Sequence, residues 1–257
     1  MKRIAILPIL FVIAILGATA QTDSTEFMKR LCKLQGISNV SKLESTQYSE
    51  KYVIKVKQNV DGTDDSKGTF GQRVIVGFRG YDRPTVIVTE GYSADYSLNP
   101  RYEEELCRLF NANLVFCEYR YFSESVPSPC NWDYMTVDNS LLDLHNVRQT
   151  LGELFTGKWI STGISKGGQT TMFYRATFPD DVDVSVSYVA PLNKNVEDGR
   201  HEPFLYKKVG TPEERATILN AQREILKRKP QLISKFEDYC KDKGYKYNAS
   251  IGEIYDY

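Results

Sequence analysis

The sequence predicts an α/β fold: a mostly parallel sheet covered by helices on both faces, followed by a purely helical segment. Three observations carry this. Apolar strand-like runs alternate with amphipathic helix-like stretches from residue 51 to residue 189. One such run, Lys158-Trp159-Ile160-Ser161-Thr162, passes through Gly163-Ile164-Ser165-Lys166-Gly167 straight into a helix pattern. Beyond Pro191 only charged, helix-patterned stretches remain.

In chain order, Lys51 to Val60 alternates apolar and polar residues like a half-exposed strand. The turn-rich stretch from Asp61 to Gly68 leads to its hairpin partner, Arg73 to Phe78. Thr85 to Thr89 is apolar enough to be buried in a sheet. Arg101 to Asn111 predicts a helix with Leu106, Leu109 and Phe110 on one face, and Asn113 to Cys117 a buried strand. An irregular Pro- and Ser-rich loop follows from Tyr121 to Tyr134. A helix from Asp138 to Phe155 then shows Leu141, Leu142, Leu144, Val147, Leu151 and Leu154 as its apolar positions. The strand ending in the Ser165 turn, a helix from Lys166 to Thr177 and a strand from Val182 to Val189 complete the sheet. A two-strand hairpin followed by βα units makes the sheet mostly parallel. The helices Pro212 to Lys229 and Gln231 to Lys243 have the composition of a lid. The expected organisation is therefore a leader over residues 1–20, a core over 21–191 and a helical lid segment over 192–257.

The leader expectation rests on Lys2 and Arg3, the apolar run Ile4 to Leu16 and the small-x-small pattern Ala18-Thr19-Ala20. This is the pattern of a secretory signal peptide cleaved after Ala20, which implies a secreted or periplasmic protein. The run is too short, and broken by Pro8, for a spanning anchor. The mature chain of about 237 residues can bury one substantial core. The whole chain carries 33 basic and 33 acidic residues, and loss of the leader leaves a formal charge near −2. Basic and acidic residues are interleaved, which argues against nucleic acid as a partner. No membrane partner is expected for the mature form, and the oligomeric state stays open. Cys107 and Cys117 lie in apolar surroundings and read as buried thiols, whereas Cys32, Cys130 and Cys240 could pair. No two cysteines have metal-ligand spacing and there are only two histidines, so neither a metal nor another cofactor is expected.

Gly-x-Ser-x-Gly between a strand and a helix makes Ser165 a candidate nucleophile. The chain turns so sharply there that the serine backbone is strained, and glycines two residues to either side remove side chains that would collide. The plainer reading is a Gly-rich turn with an incidental serine.

Three blocks extend this local signal: Thr89-Glu90-Gly91-Tyr92, Glu118-Tyr119-Arg120-Tyr121-Phe122-Ser123-Glu124-Ser125-Val126-Pro127, and Gly163-Ile164-Ser165-Lys166-Gly167-Gly168. Together they resemble secreted bacterial serine peptidases of the prolyl tri- and tetrapeptidyl aminopeptidase family. More distantly they resemble the lysosomal Pro-Xaa carboxypeptidase and dipeptidyl peptidase family. The likeness covers about Val74 to Leu205. Tyr119 stands where the distant relatives have histidine, and Ser123 where they have glycine. The resemblance implies an α/β-hydrolase core, the start of a helical lid, and an acyl-enzyme mechanism acting on peptides with free amino termini. The backbone amides of Lys166 and of the Gly91-Tyr92 turn would then form the oxyanion hole. On this reading the Lys166 side chain itself matters less than the conformation at Gly91. Glu118 and Arg120 fall at a strand's carboxyl end, where ligands bind in open α/β sheets. Glu118 is a candidate for the substrate's amino terminus, the alternative being an internal Glu118–Arg120 ion pair that organises the long loop. Asp198, at the lid entry, is a second candidate carboxylate, the alternative being a solvated loop.

A serine nucleophile needs a base, and in this fold the order is Ser, then Asp or Glu, then His. His145 precedes Ser165 in a helix pattern near Asp143 and reads as structural, and His201 sits at the lid entry. The strands expected to carry the aspartate and histidine would follow the lid. The chain therefore reads as the amino-terminal portion of a longer peptidase, and the 257-residue form as lacking a complete triad, with an inactive form one expectation. A secreted esterase or lipase, and a noncatalytic hydrolase-like peptide-binding protein, are the competing expectations.

Overall fold

A computed structural model describes residues 25–247 and 249–255; the expected leader lies outside them. The sheet begins further upstream than the sequence pattern indicated. Helix α1 (Glu26–Leu31) is capped by the Thr25 hydroxyl, which accepts from the Met28 amide, and it buries Phe27 and Leu31. Strand β1 (Ile37–Leu43) pairs antiparallel with β2 (Glu50–Asp61), which forms the hairpin with β3 (Asp64–Phe78). Then follow β4 (Thr85–Thr89), α2 (Glu105–Phe110), β5 (Asn113–Cys117), α3 (Val137–Gly152), β6 (Trp159–Ile164), α4 (Lys166–Thr177) and β7 (Val184–Tyr188). The strand order is β1-β2-β3-β5-β4-β6-β7, antiparallel as far as β5 and parallel from β5 to β7.

The two-residue period of the strands sorts their side chains to opposite faces. Ile87, Val115 and Cys117 pack with Leu141, Leu144, Val147 and Leu151 of α3 and Tyr174 of α4. Val86, Val88, Leu114 and Phe116 face the other way, against Leu106 and Cys107 of α2. Every residue of β4 and β5 is buried, as a strand covered on both faces requires.

The α2 helix is shorter than its pattern indicated. It starts at Glu105 and stops at Asn111, which takes a left-handed conformation with φ 48°. Leu109 and Phe110, expected on the buried face, are exposed. The five cysteines are free thiols, so Cys32, Cys130 and Cys240, which could have paired, do not. Cys240 is buried, with its sulfur 3.2 Å from the Tyr247 hydroxyl.

The chain divides into two compact units after Leu192. The second contains α5 (His201–Lys207), α6 (Pro212–Lys227), α7 (Lys229–Asp242) and α8 (Ile251–Tyr255). A capping box joins Thr211 and Glu214 at the start of α6. The apolar side chains of Ile218, Ile225 and Leu226 on α6 are exposed. Among the described residues no helix is long and apolar enough to cross a membrane.

Candidate active site at the strand ends

The register aligns Thr89 with Cys117, and Val88 with Thr162. The segments that leave β4, β5 and β6 therefore emerge at one edge of the sheet, and these are the segments carrying Glu90 to Tyr92, Glu118 to Arg120, and Ser165. Ser165 has φ 56° and ψ −118°, a backbone conformation that a residue with a Cβ adopts only under constraint. Its amide donates to the Tyr188 carbonyl at 3.0 Å, its own carbonyl accepts from the Gln169 amide at 2.9 Å, and it is exposed. The glycines make the turn possible. A Cβ on Gly163 would collide with the backbone of Gly167, one on Gly167 would lie 2.6 Å from the Thr89 oxygen, and one on Gly168 2.6 Å from the Tyr188 oxygen.

As the first residue of α4, Lys166 has an amide without an intrahelical acceptor. The turn after β4 packs against it, and each residue of that turn is held. Lys166 Nζ donates to the Gly91 oxygen at 2.8 Å. The Gly91 amide donates to Glu90 Oε1 at 3.0 Å, and Tyr96 donates to Glu90 Oε2 at 2.5 Å. The Tyr92 oxygen accepts from the Tyr119 amide at 3.1 Å, and the Ala94 amide donates to Glu118 Oε2 at 3.0 Å. Of the expected backbone donors, Gly91 is thus already engaged by its neighbour's carboxylate. The amide of Tyr92 has no hydrogen bond to a described residue.

Glu118 and Arg120 are fully buried and do not pair with each other. Glu118 Oε1 accepts from Ser125 Oγ at 2.8 Å and the Glu124 amide at 3.1 Å, while Oε2 accepts from Arg73 as well as Ala94. With both oxygens saturated inside the protein, Glu118 holds two loops to the strand end and does not present its carboxylate to a substrate. Arg120 forms a bidentate pair with Asp143, both bonds 2.7 Å, and donates to the carbonyls of Val60 and Tyr134 at 2.8 and 2.9 Å. The alternative of an internal Glu118–Arg120 ion pair is therefore overturned: Arg120 pairs with Asp143 and Glu118 with Arg73. Asp198, in the second unit, is turned inward onto its own loop, accepting from Arg200 and from the Lys194 amide. Ser123, where the distant relatives have glycine, has φ 41°.

His145 is not bonded to Ser165. His145 Nδ1 lies 2.7 Å from Asp181 and its ring stacks on Phe178, the contacts of a packed structural residue. His201 is exposed at the start of α5. Among the described residues no cluster of three His, Cys, Asp or Glu side chains is arranged to hold a metal ion.

The sequence reading missed the surroundings of the Lys166 ammonium. It lies 3.9 Å from the ring centre of Tyr119 and 5.1 Å from those of Tyr92 and Phe122. Burial pulls its pKa below the ordinary lysine value, and the Glu90 carboxylate opposes that shift. All three rings belong to the blocks that carried the family resemblance, so the signal was in the sequence, but nothing in it told which side chain they surround.

A strained, exposed serine between a parallel strand and a helix, flanked by glycines that have no room for a side chain, has the backbone geometry of a nucleophile elbow in an α/β-hydrolase core. Residues 20–256 match the PS-10 peptidase S37 family. The prolyl tri/tetrapeptidyl aminopeptidase of Streptomyces mobaraensis is 32% identical over 244 residues, covering 93% of this chain and 50% of that protein. The chain thus spans about half the length of this curated relative. Among solved structures, acetyl xylan esterase 1 from Thermoanaerobacterium is 16% identical with a TM-score of 0.42, covering 73% of this chain and 68% of that one. A dipeptidyl aminopeptidase IV-like protein from Bacteroides ovatus is 13% identical with a TM-score of 0.42, covering 56% of this chain and 21% of that one.

Proposed function

Because the chain belongs to the PS-10 peptidase S37 family, we propose that it is the nucleophile-bearing part of a secreted serine aminopeptidase. This enzyme releases short peptides from free amino termini and prefers proline near the scissile bond. The observation that carries the reading is the exposed Ser165 at φ 56°, ψ −118° on the sheet's carboxyl edge. Ser165 Oγ attacks the scissile carbonyl carbon as a base takes its proton, and the carbonyl oxygen becomes an oxyanion held by the Lys166 and Tyr92 amides. The tetrahedral intermediate collapses to an acyl-enzyme as the amine leaves with the proton, and water then releases the short peptide. His145 is engaged by Asp181, and the proposal leaves the base that serves Ser165 unassigned.

The test uses the complete protein that carries this chain, with anilides of short peptides ending in proline. Free-amino substrates should turn over, their acetylated counterparts should turn over at least about tenfold more slowly, and Ser165→Ala should abolish both activities. Hydrolysis of simple esters without hydrolysis of these peptides would contradict the proposal, as would turnover by Ser165→Ala.

A further inference from the structure

We infer that the Lys166 side chain is a positioning residue for the oxyanion site, an inference that rests on the proposed role of Ser165. Its ammonium, enclosed by Tyr92, Tyr119 and Phe122, grips the Gly91 carbonyl and thereby fixes the Gly91–Tyr92 peptide plane. Sequence reasoning assigned Lys166 only its backbone amide; the geometry gives its side chain a second task. In a trans peptide the carbonyl and the next N–H point in opposite directions. A donor that fixes the Gly91 oxygen at 2.8 Å therefore also fixes where the Tyr92 N–H points.

The packing leaves this turn little room to relax. A Cβ on Gly91 would lie 2.7 Å from Lys166 Cβ and 2.8 Å from Cγ, so the turn rests directly on the lysine stem. The stem starts from the residue next to Ser165, so the same residue that supplies one oxyanion donor through its amide aims the other through its ammonium. The aromatic box serves this arrangement. Three ring faces stabilise a cation that has given up part of its hydration, and they leave its hydrogens few acceptors besides the Gly91 oxygen. Tyr119 contributes twice, since its ring is the one nearest the ammonium and its amide holds the Tyr92 oxygen.

The test compares wild type with Lys166→Met, which keeps an apolar stem and removes the donor. Lys166→Leu serves the same purpose if the methionine variant does not fold. Two readouts are taken: steady-state kinetics on the proline anilide with the complete protein, and the amide resonances of Gly91 and Tyr92 in the 257-residue chain. The expected result is a kcat reduced about tenfold to a hundredfold with KM within about threefold, because only the transition state uses the oxyanion donors. The Tyr92 amide should shift and exchange faster with solvent. A lysine that merely covers aromatic surface would leave both the kcat-to-KM pattern and the Tyr92 amide unchanged, and that result would overturn the inference. If wild type shows no turnover, the proposed function fails by itself. The Tyr92 amide then decides the inference alone: displacement supports the lysine's hold on the turn, and an unmoved amide refutes it.

Discussion

The Thr89 hydroxyl lies 2.8 Å from the Gly167 carbonyl oxygen and 2.5 Å from the Thr171 hydroxyl, tying the end of β4 to the first two turns of α4. The backbones approach closely enough that Gly167 has no space for a methyl group, which would sit 2.6 Å from the Thr89 oxygen. Because that neighbour is backbone, the strand or the helix must move. Gly167→Ala is expected to destabilise the fold by about 3 kcal/mol or more and to disturb the elbow. Urea unfolding gives the first effect, and a loss under 1 kcal/mol would mean the elbow relaxes more easily than its packing indicates.

Ser165 holds its strained backbone whether or not its hydroxyl is present, because alanine also has a Cβ. Ser165→Ala should therefore unfold at nearly the wild-type urea concentration. Ser165→Gly, which removes the steric conflict at φ 56°, should be the more stable of the two by about 1 kcal/mol after the entropic cost of glycine. Equal midpoints for the two variants would show that the turn carries no appreciable strain.

Arg120 and Asp143 form a buried bidentate pair whose arginine also anchors the Val60 and Tyr134 carbonyls. Removing either partner leaves the other charge enclosed, so Arg120→Met and Asp143→Leu should each cost about 3–5 kcal/mol. The double variant should lose less than the sum of the two. Additivity in that cycle would refute the coupling.

Lys51 is buried and donates to the Ser97 and Asn99 carbonyls at 2.5 and 2.9 Å, and burial pulls its pKa down to about 8. An unfolded lysine titrates near about 10.4. Between these values the unfolded chain holds more protons than the folded one, so this group's contribution to stability rises with pH and is flat below the folded pKa. The stability difference between wild type and Lys51→Met should accordingly move in favour of wild type from pH 7 to pH 9.5. A difference independent of pH would contradict the assignment.

The parts of this fold that were legible in the sequence are those where a local pattern decides the outcome. β4 and β5 read as buried because every residue of each must suit a covered strand. The elbow read as strained because its glycines stand where side chains would collide. Helix α1 and strand β1 escaped notice because one is six residues long and the other exposes four of its seven residues and fully buries none. The partners of Glu118 and Arg120 were out of reach for another reason: Arg73 and Asp143 lie 45 and 23 positions away, the first brought in by the β3–β5 register and the second by helix α3. Lys166 belongs to the same class, since its box is assembled from the segments leaving β4 and β5.

The most direct test of the central claim is to treat the complete protein carrying this chain with a fluorophosphonate and map the adduct by peptide mass. The account predicts one adduct per chain, on Ser165, absent from Ser165→Ala and prevented by a proline-containing peptide substrate. No adduct, or an adduct on another serine, would contradict a nucleophilic Ser165 and favour a hydrolase-like protein that binds peptides without cleaving them.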